Sequence, residues 1–174
     1  RARPAASSDG ATGKGSGGHI AMERLVRTAG VQTTFIPDKG GGETTTALLG
    51  GHLNVISDPG WGHIVESGKA RVLATLGEAR LKRFPQVPTL KELGFDLVVN
   101  SPIGLAGPKG MEPAVVKKLH DAFRKAMNEP GYQQALELND QVPLYMGAEE
   151  YGRYATEQTA REKVFVQELG IKLD

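Results

Sequence analysis

Two glycine-rich runs near the start constrain this chain more than any other feature. The first spans Asp9 to Gly18, follows a small-residue run over Pro4 to Ser8, and leads into a predicted helix, His19 to Ala29, and strand, Gln32 to Pro37. The second, Lys39 to Gly42, leads into a predicted helix over Glu43 to Leu49 and a strand over Leu53 to Ser57. Strands alternating with helices pair in parallel through right-handed crossovers, which makes an α/β sheet with its crevice at the strand C-termini. Two glycine loops then place two helix N-termini at one sheet edge. Their free N–H groups and positive dipole ends suit an anion, carboxylate or phosphate alike. The residues expected to bind are Gly15, Ser16, Gly17, Gly18 and His19 from the first loop. Lys39, Gly40 and Gly41 come from the second, and Asp58 from just past the third strand.

The 23 glycines exceed the roughly 12 expected at ordinary usage of about 7%, and most fall between strand-like and helix-like segments. That placement argues for tight turns and ligand-facing loops. Apolar content of 39% supports a core, and the absence of Cys excludes a disulfide scaffold without deciding the compartment. Lys and Arg total 21 against 20 Asp and Glu, which gives no charge excess of the kind that binds nucleic acid. No apolar run approaches the ~20 residues that span a bilayer. A chain that opens on Arg1 reads as a processed or truncated product, so a missing leader says nothing about destination.

Further along, Trp61 to Ser67 reads as a helix closed by Gly68, and Arg71 to Leu76 as a buried strand. Thr89 is placed to cap a short helix over Leu90 to Leu93, ended by Gly94. The character changes near Asn100, where a domain boundary is expected. Pro113 opens a helix to Met127 with Val116, Leu119, Phe123 and Ala126 on one face. Asn128 can cap a helix over Glu129 to Leu138; a strand over Gln141 to Tyr145 and a helix over Glu149 to Leu169 follow.

Each motif has a plainer reading beside the functional one. Gly13, Gly15 and Gly18 satisfy the G-x-G-x-x-G dinucleotide pattern, with Asp38 twenty residues beyond. Ten residues between Ser8 and the predicted helix, and a second glycine loop directly after Asp38, both count against it. Lys14 lacks a P-loop's spacer and stands where a lipase-type elbow needs glycine. Ser16 is either a helix cap alone or a cap whose hydroxyl also faces the crevice. Asp58 before Pro59 is either a turn former or a crevice residue. His19, His52, His63 and His120 have no metal-ligand spacing, and no nucleophile pairs with a base, so neither metal, cofactor nor catalysis is expected.

Taken together, the motifs resemble the solute receptors of tripartite tricarboxylate transporters, the Bug or TctC-like proteins. The resemblance rests on Gly13 to Ile20, Lys39 to Gly42, Ala47 to His52, Asp58 and Gly68 to Ala74. It continues through Arg80, Pro85 to Gly94, Gly104 to Pro108 and the closing Gly170 to Asp174. It implies a type II periplasmic binding protein-like α/β fold: one complete parallel or mixed-sheet lobe over residues 1–101, and the C-terminal half of the other over 102–174. The family's N-terminal portion would be missing. By the same resemblance Ser16 to His19 and Asp58 touch ligand. Departures fall at Asp38, where an aromatic is usual, at Asn54 in place of an aspartate, and at Ser101-Pro102 where Trp is common.

The expected function is therefore extracytoplasmic capture of a small carboxylate for membrane transporter subunits, in the periplasm, without catalysis. An NAD-binding oxidoreductase fragment using the glycine fingerprint is one rival; a regulatory binding domain of the same fold is another. With half a lobe absent, the apolar helix faces after Glu112 invite self-association.

Overall fold

A computed structural model describes residues 7–100 and 103–170. Most of the Pro4 to Ser8 run, the lobe boundary at 101/102 and residues 171–174 lie outside the described residues. Element order is β1 (Ser8–Thr12), α1 (Gly17–Ala29), β2 (Thr34–Asp38), α2 (Gly41–Leu49), β3 (Val55–Ile56), α3 (Gly62–Glu66), α4 (Pro113–Ala126), α5 (Pro130–Leu138) and α6 (Ala148–Glu168). The three strands form one parallel sheet in the order β2-β1-β3. It is the α/β architecture expected of a periplasmic-binding-protein-like lobe.

Asp9 to Thr12 belong to the first strand rather than to a loop. Their small, unbranched character misleads, but β1 is the central strand and packs closely on both faces. Ala11 is fully buried beneath α1, while Gly10 leaves room for Leu53, whose Cδ1 lies 2.4 Å from where a Cβ would stand. Gly13 therefore comes directly off the strand, and the spacing objection to the dinucleotide pattern falls. β3 is shorter than predicted because the Asn54 side chain replaces a backbone carbonyl, accepting from the Ser8 N–H at 2.8 Å. Helix ends follow local chemistry: Ser16 caps α1, Gly30 closes it at φ 64°, and Gly68 turns the chain after α3 at φ 72°.

Four other expectations differ. Arg71 to Leu76 forms no strand; only Thr75 bridges Thr89 in parallel, beside Pro88, which has no N–H to extend a ladder. Leu90 to Leu93 is a turn, although Thr89 and Glu92 make the reciprocal bonds of a capping box. Gln141 to Tyr145 has no strand partner among the described residues and stays unpaired. Asn128 does not cap α5; Glu129 occupies the cap position and the Asn128 amide donates back to the Arg124 carbonyl at 3.2 Å.

Among the described residues the buried apolar ones, Ala11 through Leu97, all lie in the first hundred positions except Leu136. Neither α4 nor α6 contains a buried residue, and Val115, Val116, Leu119 and Phe123 are 38–48% exposed along α4. The later helices are held to the earlier part by polar and cation–π ties. Arg24 sits 4.1 Å over the Phe165 ring, and Arg27 donates to the Glu168 carbonyl at 3.2 Å. Asp140, at φ 55° with its side chain 1% exposed, accepts from the Gly62 N–H at 2.8 Å and from Arg83 Nη1 at 2.9 Å. Arg83 in turn pairs with exposed Glu66 at 2.6 Å.

Burial separates the two carboxylates on Arg83. Asp140→Ala should lower stability by about 2–3 kcal/mol, because it strips a buried backbone N–H and a guanidinium of their acceptor. Glu66→Ala, removing an exposed partner, should leave the urea midpoint close to that of the parent chain. Equal losses in denaturation of the two variants would contradict the burial argument.

Candidate anion site at the strand C-termini

β1 and β2 end together, Thr12 aligned with Asp38, while β3 ends at Ile56 opposite Gly10 and Asp58 follows it by two residues. Asp58 Oδ1 accepts from the Thr12 N–H at 3.1 Å, which pins the turn after β3 to the end of β1. Asp58 thus ties the two strand ends together. Its Oδ2, like Asp38 Oδ2, is enclosed without a hydrogen-bond partner. Both acids flank Thr12, where they repel a dianion unless Lys14 and Lys39 offset them.

The first loop turns through Gly13 and Gly15, at φ 79° and 77°, conformations that favour glycine. Ser16 accepts from the His19 N–H at 3.3 Å, and Ile20 makes the first intrahelical bond, to the Ser16 carbonyl. Gly17 and Gly18 N–H precede that bond and are free of it. Gly18 allows α1 to sit down on the sheet: a Cβ there would lie 2.0 Å from the Ser57 carbonyl oxygen and 3.0 Å from Ala11 Cβ. In the second loop Gly40 is the cap without a side chain, and Glu43 and Thr44 bond to its carbonyl. Gly41 and Gly42 keep free N–H groups at the start of α2, while the Lys39 N–H is taken by Glu43 Oε2 at 3.1 Å. The expected pairing of two helix N-termini at one sheet edge is therefore present.

His19 is placed differently from expectation. It is 3% exposed, buried between α1 and β2 with its ring stacked on Phe35 at 3.7 Å, so it does not line the crevice. Its Nδ1 accepts from the Gly15 N–H at 2.9 Å, and its Nε2 lies 3.7 Å from Glu23 Oε1. The helical period carries the side chain at this position inward, onto the face it shares with Met22. Burial holds its pKa below the ordinary 6.5, against the opposing pull of Glu23 and Asp9 and with help from Lys14.

An open groove of about 520 Å³ runs along the start of α2, lined by Gly41, Gly42, Thr45, Pro59, Gly60 and His63 among others. Only Gly41 of the expected residues lines it. Gly42, Thr45 and His63 were missed by the sequence reading, although the Asp58-Pro59-Gly60 turn was a cue that α3 starts at this edge. Among the described residues no group of three or more His, Asp or Glu side chains is placed to hold a metal, and no helix is long and apolar enough to cross a membrane.

A parallel sheet whose strand ends face the starts of two helices has the α/β architecture of an anion-binding crevice. The family described as "Tripartite tricarboxylate transporter family receptor" matches residues 1–171, and the chain belongs to it. A Cupriavidus necator protein described as "UPF0065 protein in gbd 5'region" is 46% identical over 172 residues, 98% of this chain and 53% of its own length. The chain spans about half the length of the curated relatives it matches first. The crystal structure of a TctC solute binding protein from Polaromonas superposes with a TM-score of 0.73 at 30% identity, covering 93% of this chain and 57% of that one. An R. palustris protein with adipate shares the fold with a TM-score of 0.82 at 22% identity, over 97% of this chain and 57% of the other.

The two helix starts differ in their tolerance of a methyl group. Gly18→Ala should cost about 1–3 kcal/mol or more, since the Ser57 carbonyl is backbone and cannot yield without moving α1. Gly41→Ala, with nothing within 4 Å of the added carbon, should be neutral or stabilise by up to about 1 kcal/mol. Thermal melts of both variants check this ordering.

Proposed function

We propose that the chain is the helix-terminus half of an extracytoplasmic receptor that captures a small organic acid for a secondary tripartite transporter. The observation that carries this reading is the convergence of the α1 and α2 N-termini on one strand edge, with free N–H groups at Gly17, Gly18, Gly41 and Gly42. Membership in a family of transporter receptors supports the transporter as partner and the periplasm as location. The adipate complex of the R. palustris protein supports a carboxylate as cargo. Membership in a family of solute receptors supports binding, rather than catalysis, as the role of this edge.

In this reading residues 1–101 form one lobe and 102–174 part of the other. The apolar stripe of α4 is then the face on which the rest of a two-lobed receptor packs. A binding protein gains affinity by closing two walls on its ligand, so the single wall formed here binds weakly. Each exposed helix-terminus contact is worth about 0.3–1 kcal/mol. Adipate should bind in the millimolar range, and the chain should associate reversibly at micromolar concentration through α4. A monomer in sedimentation with micromolar adipate affinity would overturn the lobe assignment.

Ser16 decides the site. If its hydroxyl donates to the ligand while its lone pair caps α1, Ser16→Ala in the full-length, two-lobed receptor should weaken adipate binding by about 1.5–3 kcal/mol. It should also cost about 1 kcal/mol of stability. Titration by two-dimensional NMR separates the two losses. A stability loss alone leaves Ser16 a cap, and saturable NAD binding at Gly13 to Gly18 would move the chain to the dinucleotide reading.

A further inference from the structure

The sequence places His19 among the ligand contacts, but the fold turns it away from the crevice and under the loop that forms it. The imidazole has three distinct neighbours. Phe35 of β2 stacks on one ring face, Glu23 of α1 stands 3.7 Å from Nε2, and the Gly15 N–H points at Nδ1 from 2.9 Å. A nitrogen that accepts from an amide carries no proton, so Nδ1 is bare and Nε2 holds the hydrogen, facing Glu23. This tautomer closes the loop: Gly15, at φ 77°, has its N–H held inward on the ring.

We infer that His19 is a positioning residue for the anion loop, whose unprotonated Nδ1 clamps Gly15 and whose protonation releases it, so that ligand hold depends on pH. The inference rests on the proposed carboxylate site. A proton added to Nδ1 faces the Gly15 N–H directly, donor against donor. The clamp then cannot persist, and either the ring or Gly13 to Gly15 must turn. The ring is fixed by its stack and by 3% exposure, whereas Gly13 and Gly15 have no side chains to anchor the loop. The loop is what moves.

The charged groups around the ring set the range. Asp9 beneath it on β1 and Glu23 on α1 favour the imidazolium; burial and Lys14 from the loop oppose it, and burial is the largest influence. The folded chain therefore resists protonation more than the unfolded chain. The clamp is whole above pH 6.5 and is lost as pH falls from 6.5 through the lower folded value.

The test uses the full chain, labelled with ¹⁵N, between pH 8 and 5. In the parent chain the Gly15 amide resonance should shift with the same midpoint, below 6.5, as the His19 ring nitrogens, and adipate affinity should fall with it. His19→Asn offers a side-chain oxygen near the Nδ1 position that does not titrate. Its Gly15 resonance should stay constant, and its affinity should fall about fivefold less on acidification, the ratio that one ordinary hydrogen bond corresponds to. Any titration of adipate itself appears equally in both chains.

A His19 ring that stays neutral to pH 5, or a Gly15 resonance indifferent to ring protonation, overturns the inference. Equal pH slopes in parent and variant do the same. If the variant does not fold, the parent chain's coincident or separate midpoints still decide. Adipate leaving the loop resonances unmoved at every pH would instead count against the carboxylate site, with the Gly15 shift still judging the clamp.

Discussion

The close seating of α1 on β1 is the contact on which the rest of this structure depends. Gly18 brings the helix start within reach of the Ser57 carbonyl, and Ala11 presents only a methyl to it. That approach aims the free amides of Gly17 and Gly18 across the strand ends instead of past them. It also encloses Asp9 and His19, two polar groups a looser helix would leave wet. A buried imidazole must satisfy its nitrogens locally. The Gly15 N–H does so on one side, which couples the loop's shape to the packing of the helix behind it.

The chain is uneven in what holds it together. Nearly all of its buried apolar side chains belong to the first hundred residues, where the sheet, α1 and the turns from Phe84 to Leu97 enclose them. The later helices contribute Leu136 and are otherwise tied by directional contacts, Asp140 to Gly62 and Arg83, and Phe165 to Arg24. Directional ties fix position with little burial. Amphipathic helices so tied keep apolar surface exposed, as α4 does. This division fits a chain covering about half of its relatives' length.

The site carries an electrostatic tension that the helix termini alone do not reveal. Gly17, Gly18, Gly41 and Gly42 offer donors to an anion, while Asp38 and Asp58 stand on either side of Thr12 with enclosed oxygens. Asp58 uses one oxygen to join β1 to the turn after β3, so its charge is tied to a structural role. Asp38 has no such tie among the described residues.

Element order, most helix ends and the two glycine loops were legible in the sequence because each is decided within a few residues. Ser16 reaches its own helix's third amide, Gly30 and Gly68 adopt positive φ where a helix must stop, and Pro113 and Pro130 sit where a first turn needs no N–H. The family was legible because the loops, turns and closing motifs recur in order along the chain. What tertiary structure alone decided involves partners far apart in sequence. Asp9 to Thr12 are a strand because β2 and β3 flank them, whereas Arg71 to Leu76 and Gln141 to Tyr145 lack such neighbours and remain outside the sheet. Asp140 is a buried anchor because Arg83 and Gly62 come to it across 57 and 78 residues. His19 points inward because Phe35 offers a ring to stack on. Local preference sets where an element begins and ends; which face of it is covered depends on what the rest of the chain brings against it.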